Sequence, residues 1–182
     1  MKELRLPPEV AALRSLTAGE EVLLSGNVLT MRDAALGRLD ALVREGKESP
    51  FELAGQVVFH AGPTPSSQGR PAGAIGPTTS ARMDHFLDLL FGLGVSATLG
   101  KGPRSEEARA LHEHAGSVYF AAVGGLGALY GGMVEAMEPV AWEDLGPEAV
   151  YRVTLNRFPA VVAIDASGQE HFSSRHKSYR RE

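Results

Sequence analysis

No cysteine stands anywhere in the 182 residues. That excludes disulfides and thiol nucleophiles, and it removes the thiolates that hold iron–sulfur clusters. Chemistry of that kind would have to come from another chain. Long hydrophobic runs are missing too, and nothing approaches the roughly 20 apolar residues that a membrane helix needs. The opening Met1-Lys2-Glu3-Leu4-Arg5 lacks the apolar core of a secretion signal, so a cytoplasmic location is expected. Basic excess is also absent. The net charge of −4 argues against a nucleic-acid partner held by bulk charge.

What the chain does have is 43% hydrophobic residues, enough for one domain with a sizeable core. Its 21 glycines and 11 prolines predict short elements and many turns. Leu6-Pro7-Pro8 reads as extended, and residues 8–16 as a short helix. Val22-Leu23-Leu24 is a buried-strand candidate ended by Gly26. Thr30-Met31-Arg32-Asp33 reads as a helix start with a hydroxyl cap, and Ala35, Leu39, Leu42 and Val43 form the apolar stripe. Gln56 to His60 reads as a strand. Residues 61–77 hold too many breakers for a regular element, and a loop of this length points to function. Val95 to Leu99 and Val118 to Val123 read as strands, with a polar helix from Arg104 to His114 between them. A further helix is expected from Leu126 to about Ala136. Strand runs follow at residues 140–142, 151–155 and 161–164. The pattern predicts a single compact α/β domain with a mixed sheet.

Gly76-Pro77-Thr78-Thr79-Ser80-Ala81-Arg82-Met83-Asp84 concentrates the chemistry. Hydroxyls follow a Gly-Pro break, and Met83, Phe86, Leu87, Leu90 and Leu93 continue at helical spacing. The first N–H groups of a helix have no partner within it. Backbone donors, hydroxyls and Arg82 together suit a carboxylate or phosphate. Any one of these residues alone reads better as a cap or a solvated cation. Arg32 follows a turn, and Lys101 stands between two glycines after a strand. Three cations at element ends could clamp a small diacid. Gly94 to Gly102 superficially resembles a phosphate loop, but five residues rather than four separate Gly94 and Gly100. Gly124-Gly125-Leu126-Gly127 reads as close helix–strand packing. His112-Glu113-His114 has no metal spacing and reads as a solvated face. Asp84 with His85 could form an acid–base pair and Asp84 with Asp88 could share a proton, but solvated surface positions suit all three better.

The Gly76–Asp84 stretch resembles the signature of the β half of class I (iron–sulfur) fumarases and the related L-tartrate dehydratases. The similarity extends over about Leu4 to Phe172. Further matches are Thr30-Met31-Arg32-Asp33-Ala34-Ala35, Val57 to Pro63, Leu99-Gly100-Lys101-Gly102, Tyr119 to Gly125, Asp144 to Ala149 and Phe158 to Asp165. This resemblance implies a swivelling β/β/α domain over residues 1–172, while the basic run at 173–182 reads from its own residues as a disordered tail. It implies that Arg32, Thr78, Thr79, Arg82 and Lys101 bind the substrate, with Thr78 in proton transfer. It also implies a [4Fe–4S] cluster held by a cysteine-bearing α subunit and not by this chain. The expected activity is hydration of fumarate to (S)-malate by a hydro-lyase of the tricarboxylic acid cycle, as one of two subunits. L(+)-tartrate dehydration is the alternative, and a non-catalytic anion-binding scaffold is the alternative of another class. A hetero-oligomer is expected, with a homo-oligomer as the isolated form.

Overall fold

The computed structural model describes residues 1–66 and 69–172. Its elements run β1 (Lys2–Leu6), α1 (Val10–Arg14), β2 (Glu21–Thr30), α2 (Asp33–Arg44), β3 (Val57–Phe59), β4 (Ala61–Pro63) and β5 (Ile75–Pro77). They continue with α3 (Leu87–Gly92), β6 (Ala97–Gly100), α4 (Glu106–Ala115), β7 (Val118–Ala121), α5 (Gly127–Gly131), β8 (Val134–Ala141) and β9 (Val150–Ile164). Short 3₁₀ helices lie at Ser80–Phe86 and Glu143–Glu148.

Pairing closes the main sheet on itself. One edge of β2 runs antiparallel to β9, while its other edge pairs with β1 and then with β3. Parallel pairings lead from β3 to β6 and from β6 to β7, and β7 returns antiparallel to β9. β1 and β8 sit outside this ring. Closure satisfies backbone groups that an open edge would expose.

Alternation along the strands sorts the core into two faces. Val22, Leu24, Val28, Val57, Phe59, Leu99, Phe120, Leu155 and Phe158 pack together in one cluster. Leu29, Met31 and Val58 belong to the second, against Leu36 and Leu39 of α2 and Leu90 of α3. The expected mixed α/β sheet in a single domain is therefore what the chain builds.

Local differences have physical reasons. Gly26 does not end β2: it sits in a register shift at φ 122°, and a side chain there would meet the Leu6 carbonyl at 2.2 Å. The helix expected to reach Ala136 stops at Gly131, where Gly131-Gly132 breaks it and β8 begins. The two final strand runs are one 15-residue strand, β9. The 61–77 segment carries a small hairpin, β4 with β5. The tail expected over 173–182 lies outside the described residues.

Because β2, β3, β6 and β7 are linked by parallel pairings, their C-terminal ends share one rim. The chain leaves that rim at Met31, His60, Lys101 and Ala122. Ligands of α/β sheets collect at such ends.

Candidate active site

Backbone hydrogen bonds stitch the rim together. Met31 N donates to Phe59 O at 3.0 Å, and His60 N to Leu99 O at 2.8 Å. The Thr78-Thr79-Ser80 segment crosses between these strand ends. Thr78 N donates to His60 O at 2.7 Å, Lys101 N to Thr78 O at 3.2 Å, and Ser80 N to Lys101 O at 3.0 Å. Thr78 is thus held between His60 and Lys101, with Thr79 bridged to Lys101 and exposed. Arg32 follows Met31 at the same rim. Arg82 joins the group because its Nη2 donates to Asp33 Oδ2 at 2.5 Å. The five residues singled out in the sequence therefore gather in one region.

The route to that gathering differs from the sequence expectation. Thr78 lies before the helix, and the first turn is 3₁₀, starting at Ser80. Thr79 occupies the cap position but makes no side-chain cap bond. The Thr78 and Ser80 amides are already used, so the cation and hydroxyl side chains carry any grip on an anion. Thr30 does not cap α2 either. Its hydroxyl accepts from Tyr151 N at 3.1 Å, and Arg32 holds the cap position without a side-chain cap bond.

Glu148 does the work at that helix start. Its Oε2 accepts from Ala34 N at 2.8 Å, and its Oε1 accepts from Arg32 Nη2 at 2.7 Å. Burial works to raise the Glu148 carboxyl, but the Ala34 N–H and the Arg32 guanidinium outweigh it and hold it below the usual range. Gly62 makes room for the Arg32 head: a methyl group there would sit 3.0 Å from Arg32 Nη1. Gly124 plays the same part for Lys101, whose Cδ would be 3.2 Å from an added methyl.

Behind the threonines lies a buried polar network. The Arg104 side chain is fully buried. Its Nη1 donates to Asp84 Oδ1 at 2.7 Å and to Ser80 O at 3.3 Å. Its Nη2 donates to His60 Nε2 at 2.9 Å and to Thr98 Oγ1 at 3.2 Å. The guanidinium also lies over the Tyr119 ring, 4.7 Å from its centre. His60 Nδ1 faces Met31 O at 3.0 Å, and a carbonyl only accepts, so Nδ1 carries the proton and Nε2 the lone pair. Burial, then the Arg104 charge, pushes the His60 imidazole down to about 3, so it stays neutral. Burial pushes the Tyr119 phenol up to about 12 while its hydroxyl donates to Gly102 O at 2.7 Å.

Sequence reasoning missed Arg104 and misread two of its neighbours. Asp84 turns inward to Arg104, while His85 is exposed and stacks on Phe86 at 3.9 Å. His112 is no solvated residue: it is buried between the Phe91 and Tyr119 rings. A cavity of about 350 Å³ opens beside Lys101 and Thr79, with Ala121, Gly124, Val161 and Phe172 among its walls.

The donor set does not suit an iron–sulfur cluster. The chain has no cysteine, and no group of three His, Cys, Asp or Glu that could hold a metal occurs among the described residues. Nor is any helix among the described residues long and apolar enough to cross a membrane.

Comparison with known proteins gives a consistent picture. The family model described as the fumarase C-terminus matches residues 3–175. An Escherichia coli K12 protein named "Fumarate hydratase class I, anaerobic" is 34% identical over 166 residues, covering 90% of this chain and 30% of its own length. "Fumarate hydratase 1, mitochondrial" from Leishmania major is 36% identical over 152 residues, covering 82% of this chain and 28% of its own. A Methanocaldococcus jannaschii protein named "Putative L(+)-tartrate dehydratase subunit beta" is 35% identical over 162 residues, covering 86% of this chain and 83% of its own. The chain thus spans under a third of these two fumarate hydratases, but most of the subunit-sized relative.

Proposed function

We propose, from the premise that this chain belongs to the fumarase C-terminus family, that it is the β-type half of a two-part hydro-lyase. The substrate is a four-carbon dicarboxylate, and the reaction is reversible hydration of fumarate to (S)-malate. The observation that carries this reading is the shared rim. Arg32 and Lys101 follow the ends of parallel strands, Thr78 and Thr79 cross beside them, and Arg82 reaches Asp33 next to Arg32, on a chain that spans 30% of a fumarate hydratase relative.

Each residue has a role its chemistry suits. Arg32 and Arg82 grip the two carboxylates, since a guanidinium fork matches both oxygens of a carboxylate. Glu148 and Asp33 hold these guanidinium groups in place at the rim. Lys101 supplies a point charge, and the Thr79 hydroxyl orients the substrate. Thr78 moves a proton at the reacting carbon. A threonine hydroxyl is a weak base unaided, so a neighbouring carboxylate from the other half activates it. A [4Fe–4S] cluster, which this chain's side chains do not fit, belongs to that cysteine-bearing α-type partner, and the assembled enzyme is a hetero-oligomer in the cytoplasm.

L(+)-tartrate is the second reading. It is favoured by the M. jannaschii relative, of which the chain covers 83%. The test is anaerobic co-expression with a cysteine-bearing partner, followed by assays with fumarate, (S)-malate and L(+)-tartrate. Turnover of fumarate supports the first reading and turnover of tartrate the second. Turnover of none overturns both.

A further inference from the structure

We propose that Arg104 is a positioning residue, which sets the placement of Thr78, Thr79, Arg32 and Lys101 through His60 and Asp84. The inference rests on the dicarboxylate reading of the rim. Arg104 itself stays behind that rim, with its side chain fully buried.

The geometry shows how one guanidinium reaches every arm of the site. Toward β3 it donates to His60, whose other ring nitrogen donates to Met31 O, the carbonyl just before Arg32. The backbone carbonyl of the same His60 accepts from Thr78 N. Toward the 3₁₀ turn it donates to Ser80 O and Asp84. Asp84 returns through its other oxygen to Ser105 N at 2.9 Å, which ties the turn after Thr79 to the loop after Lys101. Toward β6 and β7 it meets the Thr98 hydroxyl and the Tyr119 ring. Tyr119 in turn donates to Gly102 O, and its phenolic oxygen accepts from the Ser80 hydroxyl at 3.1 Å. Four donations leave one planar group.

A lysine cannot reproduce this. Its ammonium has three donors around one atom, whereas the guanidinium spreads five in a plane. His60 must also present a lone pair, so the network needs it neutral. The charged and titratable groups acting on it are Arg104, then Asp33 across the rim, with His112 nearby, itself held neutral by burial. A structural arginine would influence stability alone. A positioning arginine also changes turnover in molecules that remain folded.

Two readouts separate these cases. In the isolated full chain, histidine-ring NMR signals are followed between about pH 7.5 and pH 4.5, with the Thr78 and Thr79 amide signals. His60 stays untitrated in the parent. In Arg104→Lys and Arg104→Met burial still holds the ring neutral, but its ring signals and both threonine amide signals move. In the chain assembled with its partner, kcat for fumarate falls about 10- to 100-fold while KM stays within about threefold. Melting curves establish that each variant is folded at the assay temperature.

A folded Arg104→Lys with kcat within about twofold of the parent overturns the proposal. So does a His60 that already titrates near about 6.5 in the parent. If both arginine replacements unfold, Thr98→Val removes one acceptor at constant shape. It must still shift the Thr78 signal and lower kcat about threefold, and an unchanged variant overturns the proposal. Should the unmodified pair turn over no dicarboxylate, the functional reading fails by itself. The threonine signals of the isolated chain then decide the positioning role: moved in Arg104→Lys they support it, unmoved they overturn it.

Discussion

Arg82 is 58% exposed at its side chain and leans on Asp33, whereas Arg32 is 30% exposed and locked to Glu148. Replacing either changes a carboxylate contact, but the consequences differ. Arg82→Lys lowers kcat/KM about tenfold to a few hundredfold, since a charge-assisted fork contributes about 1.5–3 kcal/mol. An unchanged rate would remove Arg82 from the site. Glu148→Gln keeps the shape but weakens both bonds, to Arg32 and to the start of α2. It should raise KM severalfold and lower the melting temperature slightly, which steady-state kinetics and calorimetry measure together. His60 dictates a pH dependence of stability. Its folded value of about 3 lies below its unfolded one near about 6.5, so the unfolded chain binds the proton more readily. Stability is complete above about 6.5 and falls progressively toward about 3. Buried His112 acts in the same direction. The lowered carboxyls Glu148 and Asp165 add their own loss as pH drops through the carboxylate range. Melting curves across that span check the sign, and a stability that rises on acidification contradicts it.

Between elements, small residues decide how closely segments approach. A side chain at Gly100 would place its Cβ 1.9 Å from Ser80 Oγ. Gly100→Ala therefore pushes the Thr78–Ser80 segment off the rim and costs about 1–3 kcal/mol of stability. Thermal unfolding measures that loss, and an unshifted melting point would deny the close approach. At this scale the sequence was only partly readable. The strands ending at Phe59 and Gly100 were visible, to within a residue, as the runs from Gln56 to His60 and from Val95 to Leu99, because buried strands are continuous in hydrophobicity. The 3₁₀ turn at Ser80–Phe86 was not, since its residues fit an α-helix equally well. Its first residue is instead tied to a remote part of the chain, with Ser80 N bonding to Lys101 O just after β6. The short α5 was equally hidden. Gly131 sits where Gly73 O comes within 1.8 Å of an added Cβ, so its packing on the 61–77 segment leaves room for nothing larger than glycine.

For the molecule as a whole, the proposed division of labour makes a direct prediction. The isolated chain is colourless and inactive, and activity appears only on adding the cysteine-bearing partner. Absorption spectra and anaerobic assays of each part and of the mixture measure this. Turnover by the chain alone would contradict the division. The closed ring of strands makes one rigid frame of the parts that carry Arg32, Thr78 and Lys101. Their mutual spacing is therefore set within this chain, before any partner binds.

By itself the sequence determined which chemistry is available: cations and hydroxyls at element ends, no thiolate, and apolar runs that must become strands. It determined these because residue type and local periodicity act over a few positions. Only the tertiary structure decided that β2 and β9 close the ring, that Asp84 turns inward, and that Arg104 lies buried against His60. Those outcomes depend on groups brought together across the chain, and burial gives an ionisable side chain a partner that no local pattern can announce.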